Sequence, residues 1–240
     1  MPEPLLSLSG VQTHIGRYHI LHGVDLEVPE GGVTMLLGRN GAGKTTTLRT
    51  VIGHWKASAG AIRFGSEDIT AWPTPRRARA GIADVPESMG IFTDLTVEEN
   101  MILAARESRP EGARLEAVFQ AFPPLRTFWK NPAGNLSGGQ KQMLSVARAM
   151  IEPRRLILID EPSKGLAPAI VRSLVGALRA LKETGATILM VEQNFSVARA
   201  LGDTVAVMDE GRVIHAGTMA ELAGDRGMQE RLMGLSLEAH

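Results

Sequence analysis

Eight residues, GRNGAGKT at Gly38–Thr45, constrain this chain more than any others. Gly38, Gly43, Lys44 and Thr45 fit G-x-x-x-x-G-K-[ST], and Gly41 adds a further glycine. This motif works only between a strand and a helix. Val33-Thr34-Met35-Leu36-Leu37 before it is an apolar run suited to a buried strand. Thr46–Ile52 after it runs as a helix and meets a stop at Gly53. The glycines let backbone N–H groups turn inward without a Cβ clash, so several donors surround an anion. The helix behind adds its positive N-terminal end. Lys44 reaches toward the β- and γ-phosphates and Thr45 offers its hydroxyl to Mg²⁺. The phosphate-binding set is therefore Gly38, Arg39, Asn40, Gly41, Ala42, Gly43, Lys44, Thr45 and Thr46, with Mg²⁺ beside the phosphates; alone it would suit a kinase, a GTPase or a motor equally.

A second element completes the chemistry. Leu156-Ile157-Leu158-Ile159 is a continuous apolar run, as in a central parallel strand covered on both faces. It ends in Asp160-Glu161-Pro162, which puts two acids where open α/β sheets bind ligands. Asp160 is the expected Mg²⁺ partner, through water, since Mg²⁺ keeps much of its hydration. Glu161 is the expected general base for the attacking water.

Between these elements lies LSGGQ at Leu136–Gln140, continued by Lys141-Gln142-Met143. In the order cradle, signature, acids, the chain resembles the ATP-binding cassette (ABC) ATPase family. The resemblance implies that Ser137, Gly138, Gly139 and Gln140 open a helix whose N-terminus faces an ATP held by another subunit. From the residues alone, Ser137 is an N-cap followed by flexible glycines. The two readings use the same chain end and are compatible. A narrower resemblance rests on EPSKGLAP at Glu161–Pro168, VEQN at Val191–Asn194, VPE at Val85–Glu87 and LTVEEN at Leu95–Asn100. These are similar to the ATPase subunits of branched-chain amino acid importers.

Three positions depart from the general ABC pattern. Gln193 stands where most members place a histidine; it donates a hydrogen bond but carries no charge. With Lys44 and Glu161 it forms the implied catalytic set. Glu87 stands where most place a glutamine; it keeps an oxygen for Mg²⁺ or water, and its charge near phosphate is unfavourable unless a metal or cation lies between. Ile15 takes the position of the aromatic residue that usually stacks on adenine, a contact of roughly 1–3 kcal/mol per base. Tyr18 reads as a surface residue nearby. The implied metal set is Thr45, Glu87 and Asp160.

The layout is α/β: a P-loop NTPase core with an N-terminal antiparallel β portion and an inserted helical subdomain. Residues 1–86 read as the core with its β portion, 87–153 as the helical insertion carrying the signature, and 154–240 as the rest of the core with a helical tail from Ala220 to Ala239. Arg76-Arg77-Ala78-Arg79 reads as a solvated helix face. With 26 basic and 26 acidic residues, no net charge draws the chain to nucleic acid. No cysteine is present, and no apolar run nears the ~20 residues of a membrane span. The N-terminus shows no secretory pattern, so a cytoplasmic engine at the inner face of the membrane is expected. The implied partners are a second ABC ATPase chain, identical or sister, membrane permeases with a coupling helix docked against Met89, Ile91 and Phe92, and, indirectly, a periplasmic solute-binding protein. Three alternatives stay open: a soluble ABC ATPase of the iron–sulfur assembly type, a slow nucleotide switch, and a DNA-repair or chromosome ATPase, the last disfavoured by the lack of a heptad run.

Overall fold

Apolar alternation builds the first sheet, and a glycine bulge shifts its phase. β1 (Leu6–Ile15) buries Leu6 and Leu8, then Val11 and Thr13. The register slips between Leu8 and Val11, where Gly10 has φ +58°, so odd-numbered residues take over the inner face. β2 (Tyr18–Val28) pairs antiparallel with β1 and buries Leu21, Val24, Leu26 and Val28. The computed structural model describes residues 4–105 and 112–233.

β3 (Val33–Gly38) leads through the cradle into α1 (Lys44–Ile52), and Gly53 ends that helix in the left-handed region. β4 (Ala57–Phe64) and the short β5 (Glu67–Asp68) return to the first sheet, giving the order β2-β1-β4-β5. α2 (Thr74–Arg79) then precedes β6 (Ile82–Val85). After β6 the chain turns helical: α3 (Val97–Ala104), α4 (Gly112–Ala121), α5 (Pro123–Thr127), a 3₁₀ turn at Ala133–Asn135 and α6 (Gly138–Met150). Alternation resumes with β7 (Leu156–Asp160), α7 (Pro168–Glu183), β8 (Thr187–Val191), α8 (Phe195–Leu201), β9 (Thr204–Asp209) and β10 (Arg212–Thr218). β9 and β10 are joined by Glu210 and Gly211, both at positive φ, as a two-residue hairpin of type I′ requires. α9 (Met219–Gly224) and α10 (Arg226–Met233) follow.

The second sheet has the order β10-β9-β3-β8-β7-β6 and is parallel except at β10. Every residue of β7 and β8 is buried, which explains their unbroken apolar runs. Leu36, Leu158 and Leu189 pack with Leu21, Val24 and Leu48 on one face. Met35, Ile157 and Ile188 pack with Leu144, Leu174 and Leu178 on the other. Each such side chain contributes about 1.5–3 kcal/mol by leaving water. The site sits at the C-terminal edge of this doubly covered sheet.

Two expectations need correction. Arg77 is not on a solvated face: it is 2% exposed. Its guanidinium donates to Thr50 O at 2.8 Å and Val51 O at 2.6 Å, and also to Trp72 O and Thr70 O. A cation thus satisfies the last carbonyls of α1, where the helix dipole favours it. The tail helix is broken at Asp225 into α9 and α10, and 234–239 lie outside the described residues.

Candidate active site

The cradle folds as its glycines dictate. Gly38 has φ +141°, and a Cβ there would lie 2.2 Å from Met208 O. No other residue fits between β3 and β9 at that point. Ala42, Gly43 and Lys44 are buried; Arg39, Asn40 and Gly41 are exposed, and Thr45 and Thr46 half-buried. Lys44 Nζ donates to Gly38 O at 2.8 Å and Arg39 O at 3.0 Å, so its ammonium closes the mouth of its own loop. Burial lowers its pKa, against the charges of Glu161 and Asp160.

The acids meet the cradle from β7. Thr45 Oγ1 donates to Asp160 Oδ1 at 3.1 Å, which brings together two of the three residues expected around Mg²⁺. Burial pushes the Asp160 carboxyl up to about 6, aided by the charges of Glu161 and Glu87 and opposed by the Thr45 hydroxyl. Among the described residues no group of three or more His, Cys, Asp or Glu is placed to hold a metal alone. One hydroxyl and one carboxylate suit Mg²⁺, which takes its other ligands from phosphates and water. Glu161 follows at φ +47°, an uncommon conformation for a residue with a side chain. Its Oε1 accepts from Gln193 Nε2 at 2.5 Å, across the gap between β7 and β8.

The signature stands apart from this cluster. Ser137 caps α6: its Oγ accepts from Gln140 N at 3.3 Å, and Gln140 Oε1 accepts from Ser137 N at 2.9 Å. This reciprocal box satisfies two amides and fixes the helix start. Ser137 and Gly138 are exposed. Gly139 is required for packing, since a Cβ there would meet Ile170 of α7 at 2.8 Å.

Comparisons with known proteins give the family. Residues 21–164 match the family model described as ABC transporter. The chain belongs to the ABC transporter family. It is the family's ATP-binding cassette, an ATPase. It is 36% identical over 96% of its length, and 100% of the relative's, to the high-affinity branched-chain amino acid transport ATP-binding protein BraG of Pseudomonas aeruginosa. It is 35% identical to the probable branched-chain amino acid transport ATP-binding protein LivF of Archaeoglobus fulgidus, covering 90% of this chain and 93% of that one. Its fold matches the ADP conformation of an ATP-binding cassette of an ABC transporter, with TM-score 0.77 and 25% identity over 95% of this chain and 97% of that one.

Within this cassette, Glu87 has found the cation that its charge requires. Lys164 Nζ lies 2.6 Å from Glu87 Oε1 and 3.2 Å from Glu161 Oε2. The Glu87 carboxylate, accepting from Lys164, and then the Glu161 carboxylate raise the Lys164 pKa. Glu192 was not legible as a site residue. It is 2% exposed, and its carboxylate accepts from Ser163 N at 3.1 Å and from Gln193 N and Asn194 N at 3.0 Å. It joins the turn after Glu161 to the turn bearing Gln193. The acid inside VEQN, directly after the unbroken apolar run of β8, could have signalled this, since a buried acid needs donors. Ile15 ends β1, half-buried and paired with Tyr18, which is 61% exposed. Among the trio expected to line a docking groove, Phe92 is exposed, while Met89 and Ile91 are half-buried.

Proposed function

We propose that this cassette powers import of branched-chain amino acids. Identity of 35–36% to two transport ATP-binding subunits named for that solute class, along nearly the whole chain, supports this reading. Among the described residues no helix is long and apolar enough to cross a membrane, so the path for the solute belongs to permease partners. The cassette sits peripherally on them at the cytoplasmic face, and a solute-binding protein outside delivers the cargo. The same relatives favour transport over the soluble assembly-factor reading.

The cradle, Gly38–Thr46, binds the triphosphate, and Lys44 leaves its loop carbonyls to meet the β- and γ-phosphates. Thr45 and Asp160 hold Mg²⁺, which neutralises developing phosphate charge when bound. Glu161 accepts a proton from the attacking water and Gln193 fixes its orientation. Ser137, Gly138 and Gly139 present a helix N-terminus to the γ-phosphate on a second cassette. Closure of the pair moves the segment 87–153, a helical subdomain, against the permease. The hydrogen-bonded line Thr45–Asp160 and Gln193–Glu161 carries the hydrolytic assignment.

The test is reconstitution with the permeases that co-purify from membranes. ATP-dependent uptake of leucine, isoleucine or valine into proteoliposomes is the expected result. Recovery of the cassette without any integral-membrane partner would refute the transport reading.

A further inference from the structure

We propose that Lys164 is a positioning residue for hydrolysis, tying the Glu161 carboxylate to Glu87 and so to the loop that enters the helical segment. The proposal rests on Glu161 as the hydrolytic base. Glu161 is held at two points: Gln193 donates to Oε1, and the Lys164 ammonium lies 3.2 Å from Oε2. The same ammonium donates to Glu87 Oε1 at 2.6 Å. Lys164 reaches both acids because the chain folds back directly after Glu161, with Lys164 N donating to Glu161 O at 3.2 Å and Gly165 at φ +71°.

Electrostatics explains the need for a cation here. Asp160 is buried, and the like charges of Glu161 and Glu87 act on it from the same corner of the site. Lys44 is committed to the cradle. Lys164 therefore offsets the charge that Glu87 brings and keeps Glu161 from turning away from the γ-phosphate position. The bridge adds little to fold stability, because Lys164 and Glu87 side chains are 57% and 42% exposed. Its consequence lies in geometry.

The far end of the bridge is tied to the signature helix. Just past Glu87, Met89 O accepts from Ser145 Oγ of α6 at 2.6 Å, and Arg148 of α6 donates to Gly90 O. A shift of α6 thus reaches Glu161 through the loop and Lys164.

The experiment measures steady-state ATP hydrolysis by the full chain with its partners, alongside backbone hydrogen exchange of the nucleotide-free chain. Lys164→Met should lower kcat roughly three- to tenfold with KM changed less than twofold and Tm unaltered. Exchange at residues 161–165 should quicken. Lys164→Arg should restore most of kcat, and adding Glu87→Gln to Lys164→Met should recover part of it by removing the repelling charge. Unchanged kcat and exchange in Lys164→Met would overturn the proposal, as would a loss that Lys164→Arg does not rescue. A silent Lys164→Met beside an active parent defeats this proposal alone; loss of the hydrolytic role itself would show instead as parent-level turnover in Glu161→Gln.

Discussion

The cradle and the signature each open a helix, α1 and α6, yet they are finished to different degrees. Around the cradle every key group has found a partner inside the chain. Lys44 bonds its own loop, Thr45 bonds Asp160, Gln193 bonds Glu161, and Glu192 collects three backbone amides. At the signature, Ser137 and Gln140 cap one another and the glycines between them stay partly open to solvent. That helix start is closed by its own capping box. This difference is the ground for the proposed pairing of two chains, in which the signature of one would complete the ATP site of the other.

The comparison can be broken at either end. The largest effect is expected from Glu161→Gln, which keeps the shape and the Gln193 contact region but removes the proton acceptor. It should cut kcat about 10²–10⁴-fold with ATP affinity nearly unchanged, as read by single-turnover hydrolysis and equilibrium nucleotide binding. Ser137→Arg attacks the other end. Hydrolysis should fall more than about tenfold, while ATP binding to the separated chain stays within about twofold of the parent. Parent-level hydrolysis in that variant would mean that the signature does not face a phosphate.

Glu192→Ala sharpens the contrast by loosening only the cradle end. Three amides would lose a buried acceptor, at a cost of about 1–3 kcal/mol in urea unfolding. Gln193 would lose its support, so kcat should drop several-fold while ATP-driven pairing survives. The smallest effect is a gain. Ile15→Tyr should tighten ATP binding by up to about 1–3 kcal/mol, the worth of a stacked base, with kcat little changed. No tightening would place the adenine elsewhere than beside the end of β1.

Much of this division was readable before any coordinates. Strand, glycine loop and helix are local patterns, and LILI is apolar because β7 is covered on both faces. Ser137 and Gln140 sit three residues apart, so their capping box is a local signal too. What escaped the sequence is contact between distant segments. Lys164 and Glu87 are 77 residues apart, and Glu192 and Ser163 are 29 apart. Charge pairing at such separations is set by the fold and leaves no periodic trace. Arg77 misled for a related reason. A basic run on a short helix has the composition of a solvated face, and only the packing of α2 against the end of α1 gives one of its arginines four carbonyl acceptors.

The claim that the signature completes an ATP site on another chain is tested most directly by sedimentation of Glu161→Gln, alone and with its sister cassette if one co-purifies. Added ATP should convert the separate chains to a stable dimer, and the further change Ser137→Arg in both members should leave them separate at saturating ATP. An ATP-dependent dimer that forms equally well with Ser137→Arg would contradict the account.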